Sequence, residues 1–214
     1  SPHERTITDV MAETMVNWGV NSVFGMVGHS NLGLADAFRR LELEGKLKFI
    51  GIRHEGAGAF AASAYGKLTG KPAACFGIAG PGSTNMFTGL WDAKVDRVPI
   101  IALSGQVQTQ VLGPGAFQEV DLASAFSSVA EWSQTVLNNK NASDLMALAI
   151  KHATVNRDVA HLIFPDEVAF SEGLQPRPET PKQGRISTTD IAPPPAQIDE
   201  ALELLKDSRI TAIV

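Results

Sequence analysis

Apolar residues recur along this chain with two different periods. Ile7, Val10, Met11, Met15 and Trp18 are three and four apart, a spacing that predicts a helix over Thr6 to Trp18. Thr8 or Asp9 is its expected cap, and Gly19 its end. Leu34, Ala37, Phe38 and Leu41 predict a second helix over Leu32 to Leu43. Short apolar runs of strand type lie between the helical stretches: Ser22 to Val27, Leu47 to Ile52, Lys71 to Ala79, Val98 to Leu103, Ser133 to Leu137 and Val159 to Pro165. Further helices are expected over Gly56 to Leu68, Asn85 to Lys94, Phe117 to Val129 and Asp144 to Val155. In the first of these Phe60, Ala64 and Leu68 fall at helical spacing, and Gly70 stops it. Strands and helices alternate, and Ile100 to Leu103 is apolar on both faces. The implied fold class is α/β: a parallel sheet with helices on both faces and right-handed crossovers.

The pattern changes after Phe170. Residues 173–195 are dense in proline and read as an extended linker. Pro195 to Lys206 then reads as a helix, with Ile198, Ala201, Leu202 and Leu205 on one face, and Ile210 to Val214 as a buried strand. The expected organisation is one α/β domain over 1–172, the linker, and the first elements of a second α/β domain over 196–214. A helix and one strand cannot make a parallel sheet, so the chain is expected to be cut inside that second domain.

Composition narrows the function classes. Of 214 residues 44% are hydrophobic and 19% charged, enough for a large core. A formal net charge of -5 disfavours nucleic acid as a partner. The single cysteine, Cys75, sits in an apolar strand and reads as a core thiol. No segment is apolar over the length a membrane span needs, and no signal peptide opens the chain. A cytoplasmic location is the expectation, in which Asn141-Ala-Ser143 is a chance match to a glycosylation acceptor.

In an open parallel sheet, ligands bind beyond the carboxyl ends of the strands. Four segments are expected there: Gly25-Met-Val-Gly28-His-Ser-Asn31, Arg53-His-Glu55, Gly80-Pro81-Gly82-Ser-Thr-Asn85, and the loop Ser104 to Glu119. Glycines admit a ligand to the backbone, and helix amino ends attract anions. Neither glycine motif has the spacing of a dinucleotide fingerprint or the Lys-Ser/Thr of a P-loop. Singly, each reads equally as a tight turn. Glu55 reads either as an acidic residue capping a helix or as a lone site carboxylate. His29 and His54 have no second close ligand at helical spacing, so a positioning or surface role suits them better than metal binding.

Together the four segments resemble the amino-terminal, pyrimidine-binding domain of thiamine-diphosphate enzymes. The likeness is carried by Val23-Phe-Gly-Met-Val-Gly28, Arg53-His-Glu55, Gly56-Ala-Gly-Ala-Phe-Ala-Ala62, Gly80-Pro-Gly82 with Thr84-Asn85 and Gly89, Val98-Pro99, and Phe117-Gln-Glu119. Gly115-Ala-Phe-Gln-Glu119 looks most like the pyruvate oxidase and acetolactate synthase branch. The resemblance implies that Glu55 hydrogen-bonds N1′ of the cofactor's aminopyrimidine. It implies that Gly25, Gly28, Gly80, Pro81, Gly82 and Asn85 shape the cofactor pocket. Phe117 and Gln118 are implied to lie near the substrate and, in flavin-bearing members, near the flavin. At Glu119 ordering of the loop and contact with ligand are both open. It further implies a small 2-oxo acid substrate, a homodimer or homotetramer, and magnesium held by a separate domain. That domain's Gly-Asp-Gly…Asn motif is absent from this sequence. Flavin adenine dinucleotide is carried by some members only. Three readings compete with a pyruvate oxidase-like decarboxylase: an acetolactate synthase, a non-catalytic dimerising α/β domain, and a simple nucleotide-binding module.

Overall fold

Strands Ser22–Gly25 (β1), Lys48–Gly51 (β2), Ala73–Gly77 (β3), Ile100–Gln106 (β4), Trp132–Thr135 (β5) and Val159–Pro165 (β6) form one six-stranded sheet. Its order is β2-β1-β3-β4-β6-β5, and every pairing is parallel. The computed structural model describes residues 4–173, 178–182 and 192–209. The helices are Ile7–Asn17 (α1), Leu32–Leu43 (α2), Glu55–Thr69 (α3), Pro81–Thr84 (α4), Phe87–Val95 (α5), Leu122–Phe126 (α6), Ala142–Asn156 (α7), Asp166–Ala169 (α8) and Pro195–Leu205 (α9). The α/β class with helices on both faces is as expected.

Alternation along the central strands divides the core in two. Ala74 and Phe76 of β3, Ile101 and Leu103 of β4, and Leu162 and Phe164 of β6 pack with Met11, Met15, Phe38 and Met146 from α1, α2 and α7. Ala73, Cys75, Ile100, Ala102, Val159 and Ile163 point the other way, towards α3, α5 and α6. Cys75 is fully buried, and burial pushes its thiol up to about 12, so it is a core residue.

Several expectations change. The run Leu47 to Ile52 is not a buried strand. β2 is an edge that pairs with β1 alone, and only Leu47 is fully covered. Apolar content reads alike whether one face or two are covered, and neighbours decide which. Thr6 occupies the N-cap of α1, where its N–H donates to Asp9 Oδ2 at 2.9 Å. β4 runs on to Gln106, past the expected end at Leu103. The buried polar side chains there are satisfied: Ser104 bonds His161, and Gln106 Nε2 donates to the Val120 carbonyl at 2.9 Å. The helix expected over Phe117 to Val129 shrinks to α6. Gln118 has φ 66, which no helix tolerates, and Asp121 caps α6 by accepting from Ser124 N at 3.1 Å. The helix expected over Asn85 to Lys94 is α5, beginning at Phe87, and a short helix not expected, α4, opened by Pro81, precedes it.

The stripe Phe60, Ala64, Leu68 does not face the core. Phe60 and Leu68 are exposed, and α3 buries Gly56, Gly58, Ala59, Ala62 and Gly66 instead. The reason is close approach. A Cβ on Gly89 of α5 would lie 2.6 Å from that of Ala59, and one on Gly66 would overlap Val98. Only small side chains fit between α3, α5 and the sheet, so the large residues are turned outward.

At Glu179 the proline-rich stretch is tied to α1. Its N–H donates to Thr14 Oγ1 at 3.0 Å, and Asn17 Nδ2 donates to its carbonyl at 3.2 Å. Residues 174–177 and 183–191 of the expected linker, and the strand expected over Ile210 to Val214, lie outside the described residues. α9 forms as expected, with Ile198, Leu202 and Leu205 exposed.

Candidate active site around Glu55

The sheet grows from β1 in two directions, to β2 on one side and β3 on the other. Such a reversal opens a crevice at the strands' carboxyl ends. α3 follows the edge strand β2 and crosses back over β1, placing a Cβ on Gly58 only 3.3 Å from the Phe24 carbonyl. Its first residue, Glu55, is thereby delivered to the end of β3.

Glu55 is 2% exposed. Its Oε2 accepts a hydrogen bond from Asn85 Nδ2 at 3.1 Å. Among the described residues no donor reaches Oε1, an oxygen that is not fully enclosed. Glycines surround it: a Cβ on Gly82 would lie 3.1 Å from Oε1, and one on Gly77 would lie 3.3 Å from Cγ. Burying a carboxylate is costly, and one that holds a single hydrogen bond within its own chain calls for another donor. Of the two readings open for Glu55, capping falls to its neighbour: His54 is the N-cap of α3 and accepts from Gly56 N at 3.1 Å.

The other sequence-derived residues gather round this point. Gly80 has φ 62, and a Cβ there would overlap the carbonyl of Gln118. That contact brings the Phe117-Gln118 loop against the turn Gly80-Pro81-Gly82, which in turn abuts Glu55. Phe117 is 89% exposed. Gly25 and Gly28 have internal reasons to be glycine, since Cβ atoms there would overlap Phe76 and lie 2.5 Å from Ile78 Cγ2. A cavity of 380 Å³ opens beside Gly80, lined by His29, Ala79, Val111, Phe117, Gln118 and Asp166. His29 Nε2 stands 3.7 Å from Asp166 Oδ2 across it.

Sequence reasoning missed Gly77 and Asp166. Gly77 ends an apolar strand without a motif, and Asp166 is carried by a four-residue helix with no periodicity to read. For Glu119 the geometry gives loop ordering. Its carboxylate accepts from Gly113 N at 2.7 Å, Ala116 N at 2.8 Å and Gly115 N at 3.0 Å. The Gly113 and Ala116 amides, with Gly115 after them, hold its pKa below the ordinary carboxylate range. Replacing it by Ala should free these amides. The expected result is faster hydrogen exchange over 113–116 with little change in melting temperature; unchanged exchange would show that the loop orders itself.

The arrangement fits an aminopyrimidine. Glu55 is a buried residue whose Oε1 has no donor among the described residues and faces glycine-walled space, and such an oxygen accepts or shares a proton with a ring nitrogen. Among the described residues no group of three His, Cys, Asp or Glu side chains could hold a metal ion. No described helix is long and apolar enough to cross a membrane.

The fold and site define an amino-terminal thiamine-diphosphate-binding domain, and comparison agrees. Residues 5–125 match the family described as "Thiamine pyrophosphate enzyme, N-terminal TPP binding domain", and the chain belongs to that family. It is 37% identical over 174 residues to a putative thiamine pyrophosphate-containing protein of Bacillus subtilis, covering 81% of this chain and 30% of that one. It is 36% identical over 155 residues to the pyruvate oxidase of Lactiplantibacillus plantarum, covering 72% and 25%. It is 39% identical over 151 residues to the acetolactate synthase large subunit of Parasynechococcus marenigrum, covering 70% and 24%. The chain thus spans between 24% and 50% of the length of curated relatives such as these.

Proposed function

We propose that this chain is the pyrimidine-binding part of a pyruvate oxidase-like, thiamine-diphosphate-dependent decarboxylase of 2-oxo acids. The observation that carries the reading is Glu55, 2% exposed, with one oxygen held by Asn85 and the other turned to glycine-walled space. When bound, the cofactor supplies an electron sink for the carbanion left as carbon dioxide departs. This chain's residues do the rest of the local work. Glu55 Oε1 would share a proton with ring nitrogen N1′. Asn85 fixes the carboxylate's rotation through Oε2. Gly77 and Gly82 let the ring approach. Phe117 and Gln118, on the loop pinned by Glu119, would lie near the oxo acid. Magnesium and the diphosphate belong to another domain in this reading, and a flavin to a third.

A carboligase of the acetolactate synthase type uses the same chemistry up to the carbanion, and the likeness to acetolactate synthases supports it as the second reading. Pairing of two copies is part of both readings. Phe60 and Leu68 of α3 and Trp91 and Val95 of α5 are exposed large apolar residues on two helices packed against each other, the kind of face a second subunit covers. The test is turnover of pyruvate by the longest natural polypeptide carrying this chain, with and without thiamine diphosphate and magnesium. Cofactor-dependent acetate with an added electron acceptor is expected. Acetolactate as the main product would transfer the assignment to the carboligase. No cofactor-dependent turnover of any 2-oxo acid would overturn both.

A further inference from the structure

The residue before Glu55 caps α3 in an unusual way. N-caps are commonly Ser, Thr, Asp or Asn, whose short side chains reach the free N–H groups of the first turn. Here the cap is a histidine with extended backbone, φ -151 and ψ 129. Its Nδ1 accepts from Gly56 N at 3.1 Å, and its carbonyl accepts from Ala57 N at 2.9 Å and Gly58 N at 3.3 Å. The three N–H groups that follow Glu55 are therefore all satisfied by one residue. Accepting at Nδ1 places the imidazole proton on Nε2.

The ring, though the residue is exposed, lies against the first turn beside the carboxylate. A Cβ on Gly56 would stand 3.0 Å from His54 Nδ1, 3.1 Å from its Cε1 and 3.0 Å from the Asn85 carbonyl oxygen. Residue 56 must be small for the imidazole to sit against the first turn. The same residue touches the backbone of Asn85, whose side chain holds Glu55 Oε2. His54, Gly56, Asn85 and Glu55 thus form one contiguous unit at the end of α3.

We propose that His54 is a positioning residue for Glu55: by seating the first turn of α3 through Nδ1, it sets the direction in which Oε1 is presented. The proposal rests on the reading that Oε1 partners the aminopyrimidine. α3 as a whole does not depend on this cap. It runs for 15 residues, and the burial of its glycine and alanine face against the sheet and α5 holds it. Losing the cap frays one turn, and Glu55 is in that turn.

The experiment uses the longest natural polypeptide carrying this chain, with His54→Ala, His54→Asn and Glu55→Gln made side by side. Calorimetric titration with thiamine diphosphate in the presence of magnesium reads cofactor affinity apart from turnover. His54→Ala should bind about fivefold more weakly, the effect of one lost cap, and should lower kcat with the melting temperature little changed. His54→Asn restores an acceptor at the cap and should return affinity to within about twofold of wild type. Nitrogen-15 shifts of the His54 imidazole should show an unprotonated Nδ1 and a protonated Nε2. Wild-type affinity in His54→Ala, failure of His54→Asn to rescue, or a proton on Nδ1 would each overturn the proposal. If Glu55→Gln abolishes turnover while His54→Ala changes nothing, this proposal alone falls. If Glu55→Gln turns over normally, the reading beneath it falls.

Discussion

Glu55→Gln should lower cofactor-dependent turnover by about 10²- to 10⁴-fold, the range supplied by a placed proton-sharing group. The amide is nearly the same size, so the glycine wall of Gly77 and Gly82 still accommodates it. What it lacks is charge and the capacity to share a proton with a ring nitrogen. Stability should move the other way or not at all. The native carboxylate is 2% exposed and holds one hydrogen bond within the described chain, an arrangement that opposes folding. Relief of that burial should leave the melting temperature of Glu55→Gln equal to or above that of wild type. Turnover measured under saturating cofactor, beside a thermal melt, checks both halves. A variant with near-normal turnover would remove Glu55 from the chemistry. One that melts much lower would make Glu55 a structural residue after all.

The second large effect lies away from this site. His161 of β6 is completely buried. Its Nδ1 bonds Ser133 Oγ of β5 and its Nε2 bonds Ser104 Oγ of β4, each at 2.8 Å. Phe126 stacks on the ring at 3.5 Å between centroids. Burial lowers its pKa from 6.5 to about 3. The folded state therefore resists a proton that the unfolded chain accepts near pH 6.5. This contribution to stability is complete above pH 6.5 and is lost progressively as pH falls towards 3. The loss is about 1.4 kcal/mol per pH unit, up to roughly 5 kcal/mol. His161→Leu should be destabilised at pH 7 by about 1 to 3 kcal/mol, because it leaves the buried Ser104 hydroxyl without a partner and removes that of the partly buried Ser133. It should also lose part of the acid sensitivity. Urea denaturation of both proteins from pH 8 to pH 4 gives the comparison. Parallel decline of wild type and variant over that range would show that His161 does not govern acid stability.

Much of this molecule was legible in its sequence. The apolar pattern placed α2 at Leu32–Leu43 and β6 at Val159–Pro165 to the residue, because a buried helix face leaves a strong period and a strand covered on both faces a short continuous apolar run. The candidate site was legible as a set of turns. Arg53-His-Glu55 and Gly80-Pro-Gly82 stand after strands, and in a parallel sheet all strand ends point the same way. Relations between elements were not encoded in any local pattern. Whether Leu47 to Ile52 lay in the middle or at the edge depended on how many strands came to lie beside it. Phe60 and Leu68 carried the helical period yet point outward, since the approach of α5 and of the sheet left space on the inner face only for small residues such as Gly58, Ala59 and Gly66. Histidine at position 54 gave no sign of being a cap, a role usually taken by shorter side chains. Sequence alone thus determined which segments are strands and helices and which turns gather at one end of the sheet. Only the tertiary structure decided that Glu55 is buried with one oxygen uncommitted, because that condition is set by Asn85, Gly77 and Gly82, which the chain brings there from other elements.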